Sequence, residues 1–237
     1  MFYLIGLGLN EKSVSLEALE ICKHSSKIFL ENYTVEFPYS VEDLEKTLGK
    51  KIIPLTRLLV EDEKFVEDAK NKEIVLLVYG SPLGATTHSS LILKCKKEAI
   101  NYRVLENASI FDAVCETGLQ IYKFGKTASL PKWIGKYKPT SFLDIIKDNK
   151  KISSHSLILV DIGLSYADAL KQLQESSKNK FKIEKMIVCS RLGTKESKIY
   201  YDHFEELYGK EVLSPFCFII PSSLHFAEED MLNLVID

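Results

Sequence analysis

Short apolar runs alternate with helical repeats along the first half of the chain. FYLIGLGL (2–9), KIFLENY (27–33), KIIPL (51–55), EIVLLVYG (73–80) and YRVLEN (102–107) predict strands. Residues 13–22, 41–48, 65–71 and 89–100 carry apolar side chains three and four positions apart, the spacing of a helix with one buried face. That alternation predicts a mainly parallel α/β sheet. A helical stretch at 110–122 comes next, then a second set of strands: KTASL (126–130), HSLILVDIG (155–163), KMIVCSR (185–191) and PFCFIIP (215–221). Helical patterns at 141–147, 166–175, 201–207 and 226–235 are interleaved with them, and ESSKNK (175–180) reads as a solvated loop. The second half thus forms a layered α/β unit of its own, with the boundary near residue 110.

Composition narrows the class. With 237 residues, 46% hydrophobic and 27% charged, the chain can bury a substantial core in one domain or two. No apolar run approaches the roughly 20 residues of a membrane helix. The opening MFYLIGLGLNEKSVSLEAL lacks a basic leader and reads directly as strand, turn and helix, so a cytoplasmic location is expected. A net charge of −2 argues against the broad basic surface of a nucleic-acid binder and favours a small molecule or a protein as partner. The cysteines at 22, 95, 115, 189 and 217 are dispersed, without CxxC or Cys/His clustering. They read as buried free thiols, and no metal site is expected.

Candidate chemistry gathers at strand ends. Gly6 and Gly8 follow the first strand, but a dinucleotide fingerprint would place a third glycine at position 11, which is Glu11. No GxxxxGK[ST] phosphate loop exists. GSPLGATTH (80–88) is a second glycine-rich loop after a strong strand, and loops at the carboxyl ends of parallel strands converge on one crevice. Thr86 and Thr87 could equally cap the helix that follows, and His88 taken alone is more often a structural residue. VDIG (160–163), SRLG (190–193) and PSSLH (221–225) are further polar or small stretches at strand ends. Asp161 by itself reads as a turn cap. Five such motifs across both halves suggest a shared cleft.

Taken together, YLIGLGL, GSPLGATTHSSL, NASIFDAV (107–114), GLQIYKFGKTASL (118–130), PTSFLDIIKDN (139–149), LVDI and SLHFAEEDML resemble the diphthine synthase family of the tetrapyrrole methylase-like superfamily. The resemblance runs nearly the whole length. It implies a two-domain α/β fold, with a Rossmann-like α/β domain over 1–110, a second α/β domain over 111–237, and a cofactor cleft between them. It also implies a homodimeric S-adenosylmethionine-dependent methyltransferase. The substrate implied is the modified histidine (aminocarboxypropyl-histidine) of translation elongation factor 2, an intermediate of diphthamide biosynthesis, and no nucleic acid, membrane or metal is involved. Carried over by position, the cofactor contacts fall on Leu9, Ser81, Gly84, Ser109 and Ile110, and on Ile162, Leu192 and His225. The family's loop usually reads GDP where this chain has Gly80, Ser81 and Pro82, which removes a carboxylate that could face a cationic ligand. The regions after TASLPKW and before KMIVCSR are short for the family.

Methyl transfer from a sulfonium to an amine needs positioning more than a nucleophilic side chain. The amine must first lose its proton, through desolvation or a passing water, and the sequence singles out no base. An aromatic face suits a methylated ammonium product, which makes Tyr122, Phe124 and Trp133 candidates. GATTHSSL and YRVLENASI lie nearer the eukaryotic members, which add a fourth methyl to give a methyl ester. A related tetrapyrrole or RNA methyltransferase, a noncatalytic S-adenosylmethionine-binding module and an unrelated α/β nucleotide-binding enzyme are the rival readings.

Overall fold

A computed structural model describes residues 1–178 and 180–234. The chain divides into two compact units, Met1–Phe111 and Asp112–Asp237.

In the first unit, β1 (Phe2–Gly6), β2 (Lys27–Glu31), β3 (Ile53–Leu55), β4 (Ile74–Val78) and β5 (Tyr102–Leu105) form one sheet in the order β3-β2-β4-β1-β5. Every pairing is parallel. The two central strands, FYLIG and IVLLV, are buried at every position, as uninterrupted apolar runs in a doubly covered parallel sheet must be. Alternation divides their side chains between two cores. Tyr3, Ile5, Val75 and Leu77 join Ala18 and Cys22 on one face, whereas Phe2, Leu4, Ile74 and Leu76 join Leu91 and Cys95 on the other.

Those partners belong to helices α1 (Leu16–His24) and α4 (Ser89–Lys97), which therefore cover opposite faces. Between them lie α2 (Val41–Leu48) and the short α3 (Arg57–Glu61). Ser15 and Ser40 cap α1 and α2 by accepting the amides of Ala18 and Asp43, and Gly49 ends α2 in the left-handed region at φ 64°. The expected helix at 65–71 is a 3₁₀ turn, Lys64–Lys70.

The second unit opens on the short helix α5, which begins in the first (Ile110–Ala113) and runs on as a 3₁₀ turn. The single helix expected over 110–122 is broken at Gly118, whose φ of 81° turns the chain away. The rest comprises β6 (Ala128–Leu130), α6 (Phe142–Lys151), β7 (Ser156–Val160), α7 (Tyr166–Ser177), β8 (Lys185–Ser190), β9 (Lys198–His203), β10 (Phe216–Ile220) and α8 (Phe226–Leu234). The sheet order is β6-β7-β10-β8-β9. Only β6 and β7 are parallel; the other three pairings are antiparallel.

Two expectations change here, and a third reaches past the described residues. The helix expected at 201–207 is instead strand β9 followed by a 3₁₀ turn at Glu206–Gly209, because Ile199 and Tyr200 bury against β8 and aromatic side chains suit a pleated surface. The loop expected at 175–180 begins as the last turn of α7, with Ser176 and Ser177 buried; position 179 lies outside the described residues. The helix expected to run to 235 is described to Leu234, and 235 lies outside the described residues. Among the described residues no helix is long and apolar enough to cross a membrane.

Candidate functional site

The connection after β1 carries the chain past β4 to β2, and the connection after β4 carries it past β1 to β5. The two leave in opposite directions, so the carboxyl ends of β1 and β4 flank a topological switch point, where open parallel sheets bind their ligands. Both strands end in glycine-rich loops there. The loops are joined directly: Gly80 N–H donates to Gly8 O at 2.9 Å, Gly8 N–H to Gly80 O at 3.3 Å, and Leu7 N–H to Val78 O at 2.8 Å. Gly8 and Gly80 have φ of 71° and 69°, a region closed to most side chains.

A third loop, after β5, locks onto the first. Asn107 donates through Nδ2 to Gly6 O at 3.1 Å and to Ser13 O at 3.0 Å, while its Oδ1 accepts the amide of Ala108. One side chain thus satisfies two carbonyls roughly a hundred residues away. Asn107→Ala should cost about 1–3 kcal/mol through the unpaired groups left behind, read as an earlier urea midpoint, whereas Asn107→Asp should lose both donated bonds while keeping the shape.

The sequence-predicted residues of this unit sit around these loops. Leu9 is 7% exposed, and its carbonyl accepts Tyr79 Oη–H at 3.0 Å. Ser109 is buried, with Oγ accepting the amide of Phe111, and Ile110 is the first residue of α5. Gly84 donates to Ser81 O within the loop. Ser81 Oγ donates to Glu106 Oε2 at 2.8 Å.

Thr86 and Thr87 do not cap α4, whose start has no side-chain cap; Thr86 Oγ1 instead closes the loop on Pro82 O at 3.0 Å. His88 is buried and structural. Its Nδ1 lies 3.2 Å from the same Pro82 carbonyl, which can only accept, so Nδ1 carries the proton. Nε2 lies 3.4 Å from the wholly buried Glu31 carboxylate. Glu31 itself takes both the amide and hydroxyl of Thr34, while His88 Nε2 makes no hydrogen bond among the described residues.

In the second unit Ile162 and Leu192 follow β7 and β8, which run in the same direction, so both lie at one end of that sheet. Ile162 is exposed, while Leu192 is 4% exposed and can offer a ligand only its backbone. Asp161 is a turn cap, accepting the amides of Lys132 and Ile162. His225 follows β10, antiparallel to β7, and lies at the opposite end.

That end holds a buried ionic cluster which sequence reasoning did not find. Glu228 on α8 accepts the amides of Gln120 and His225 at 2.9 and 2.8 Å, Lys123 Nζ, and His155 Nε2 at 3.2 Å. Ser222 N–H donates to His155 Nδ1 at 3.0 Å, so the imidazole proton sits on Nε2, facing Glu228. Burial pushes the Glu228 carboxyl up, but the Gln120 and His225 amides, Lys123 and His155 outweigh it and hold the pKa down at about 2. Burial also holds His155 below the ordinary imidazole value, against the upward pull of Glu228.

Of the aromatic candidates, Tyr122 is exposed and bonds Gln120, Phe124 packs edge-on against His155, and the Trp133 face is covered by Lys138 Nζ at 4.6 Å. All five cysteines are free, four buried and Cys115 exposed. Among the described residues no group of His, Cys, Asp or Glu is placed to hold a metal ion.

This arrangement fits a ligand that lies against bare backbone at the end of β1 and β4, with a carboxylate nearby. The model of the tetrapyrrole (corrin/porphyrin) methylases matches residues 1–208. A diphthine synthase of Methanococcus maripaludis is 36% identical over 253 aligned positions, covering 100% of this chain and 99% of that protein. A diphthine methyl ester synthase of Schizosaccharomyces pombe is 44% identical over 165 positions, 68% of this chain and 58% of that protein. A crystal structure of diphthine synthase superposes with a TM-score of 0.91 at 30% identity, covering 100% of this chain and 96% of that one.

Proposed function

The chain belongs to the tetrapyrrole methylase family and, within it, to the diphthine synthases, and from that membership we propose that it is a methyltransferase of diphthamide biosynthesis. It transfers methyl groups from S-adenosylmethionine to the aminocarboxypropyl-histidine of elongation factor 2. The observation that carries this reading is the junction of three loops at the switch point of the first sheet, in a chain that matches a diphthine synthase end to end.

Leu9, Ser81, Gly84, Ser109 and Ile110 would hold the cofactor. The buried side chains of Leu9 and Ser109 make this largely a backbone surface, and the glycines keep it bare. Bound there, S-adenosylmethionine supplies a methyl group on a sulfonium, an electrophile that needs no protein nucleophile. The protein's part is to orient the acceptor amine and to keep it out of bulk water, where it would hold its proton. Ile162, Leu192 and His225 of the second unit are included on resemblance alone. A homodimer in the cytoplasm accords with the same resemblance.

The test is mass spectrometry of elongation factor 2 carrying the precursor residue, after incubation with this protein and S-adenosylmethionine. Successive methyl additions at that histidine are expected, and their number separates the trimethylated amine from the methyl ester. The 44% identity to a methyl ester synthase supports the latter. A peptide left unchanged by a protein that nevertheless binds the cofactor would replace catalysis with a binding role.

A further inference from the structure

Three loops meet at the switch point, and their charged side chains are few: Glu11 and Lys12 after β1, none after β4 before His88, and Glu106 after β5. Glu106 immediately precedes Asn107, the residue that locks this loop to Gly6 and Ser13, so the backbone carrying its carboxylate is fixed against the first loop. The carboxylate is fixed as well, by Ser81 Oγ–H at 2.8 Å from the second loop.

Glu106 has no counter-ion among the described residues, unlike many carboxylates of this unit. Elsewhere in this unit, Asp43, Glu45, Asp68 and Glu98 each pair with a lysine at 2.7–2.9 Å, and Glu17 and Glu61 pair with arginines. Glu106 pairs with no cation among the described residues, and its one hydrogen-bond donor is a neutral hydroxyl. A carboxylate held by a neutral donor has already lost part of its rotamer freedom, which lowers the cost of meeting a cation.

We propose that the Glu106 carboxylate, oriented by Ser81, is the anion that pairs with a cationic group of the bound cofactor. This rests on the S-adenosylmethionine reading of the loop junction. It also gives the serine a purpose. A hydroxyl at position 81 donates to the carboxylate from the neighbouring loop, where an aspartate would repel it, so the negative charge of the site resides on β5's loop. The cofactor has two cations that could be met, the sulfonium and the α-ammonium. S-adenosylhomocysteine keeps only the second.

Titration calorimetry of wild type, Glu106→Gln and Ser81→Asp/Glu106→Gln with both ligands tests the pairing. Glu106→Gln should weaken S-adenosylmethionine roughly tenfold or more, the scale of a lost charge-assisted contact. A loss confined to S-adenosylmethionine assigns the pairing to the sulfonium, and equal losses for both ligands assign it to the ammonium. Recovery in Ser81→Asp/Glu106→Gln, where the charge is moved across one hydrogen bond, adds support. Unchanged affinity of Glu106→Gln for both ligands overturns the proposal. Wild-type protein that binds neither ligand overturns the cofactor reading itself, a result distinct from normal binding by the variant.

Discussion

Gly6→Ala is expected to pull the two glycine loops apart and to weaken S-adenosylmethionine binding more than tenfold. An added Cβ would lie 2.6 Å from Gly80 O and 2.8 Å from Pro82 Cδ, with Asn107 Cβ at 3.1 Å. The first is backbone and the second a ring atom, so neither can rotate away. Relief requires moving the loop after β4, which breaks the Gly8–Gly80 pair. Overpacking of this kind costs about 1–3 kcal/mol, read as a lower urea midpoint with an unchanged slope. Gly84→Ala is the control: its Cβ would stand 3.4 Å from Ser81 Cβ, ordinary contact, so stability should stay near wild type. Equal losses from both substitutions would show that the junction of the loops has no special place in the site.

Glu228→Ala should be the most damaging change in the second unit. It removes the acceptor for two backbone amides, a lysine and a histidine, all gathered on one wholly buried carboxylate. Breaking a buried ionic cluster by deleting one partner costs about 3–5 kcal/mol, and the melting temperature should fall accordingly. Acid should act on the same cluster. The folded pKa of Glu228 is depressed, so its contribution is complete above the ordinary carboxylate value and is lost as pH falls toward about 2. His155 is also depressed: the unfolded chain takes up its proton first, so stability already declines as pH drops below the ordinary imidazole value. Urea melts of wild type between neutral and acid pH should therefore show a steady loss. In Glu228→Ala the lower part of that slope should flatten, and an equally steep slope would place the acid sensitivity elsewhere.

The first unit was largely legible because its determinants are local. FYLIG and IVLLV are apolar runs bounded by glycine, and α2 begins at Ser40 and ends before Gly49 as its sequence implies. Gly6, Gly8, Gly80 and Ser81 stood out for the same reason, as small residues directly after strong strands. Strand direction in the second unit was less accessible. Antiparallel and parallel neighbours are told apart by how the chain returns, and β10 enters between β7 and β8 after both have formed their own connections. KIYYDH was misread because helical spacing and strand alternation overlap in so short a segment, and pairing with β8 decides between them. Asn107 and Glu228 lie within family-like stretches, but their roles carried no local signal. Asn107 acts on partners far away in sequence, and Glu228 sits in an acidic first turn where a carboxylate is unremarkable until the helix docks and buries it. His88 reads as structural from the sequence, and its ring is wedged between a loop carbonyl and Glu31.

The pairing of β1 also bears on how the chain folds as it leaves the ribosome. Phe2 pairs with Ile74 on one side and Tyr102 on the other, and neither β2 nor β3 pairs with β1. Although it leads this unit, β1 therefore waits until residues 74–78 have emerged for its first neighbour and until 102–105 for its second. During that interval FYLIG is an unpaired apolar strand, open to nascent-chain chaperones or to aggregation. Its insertion between β4 and β5 then closes two of the sheet's four ladders, so much of the long-range order in this unit comes late.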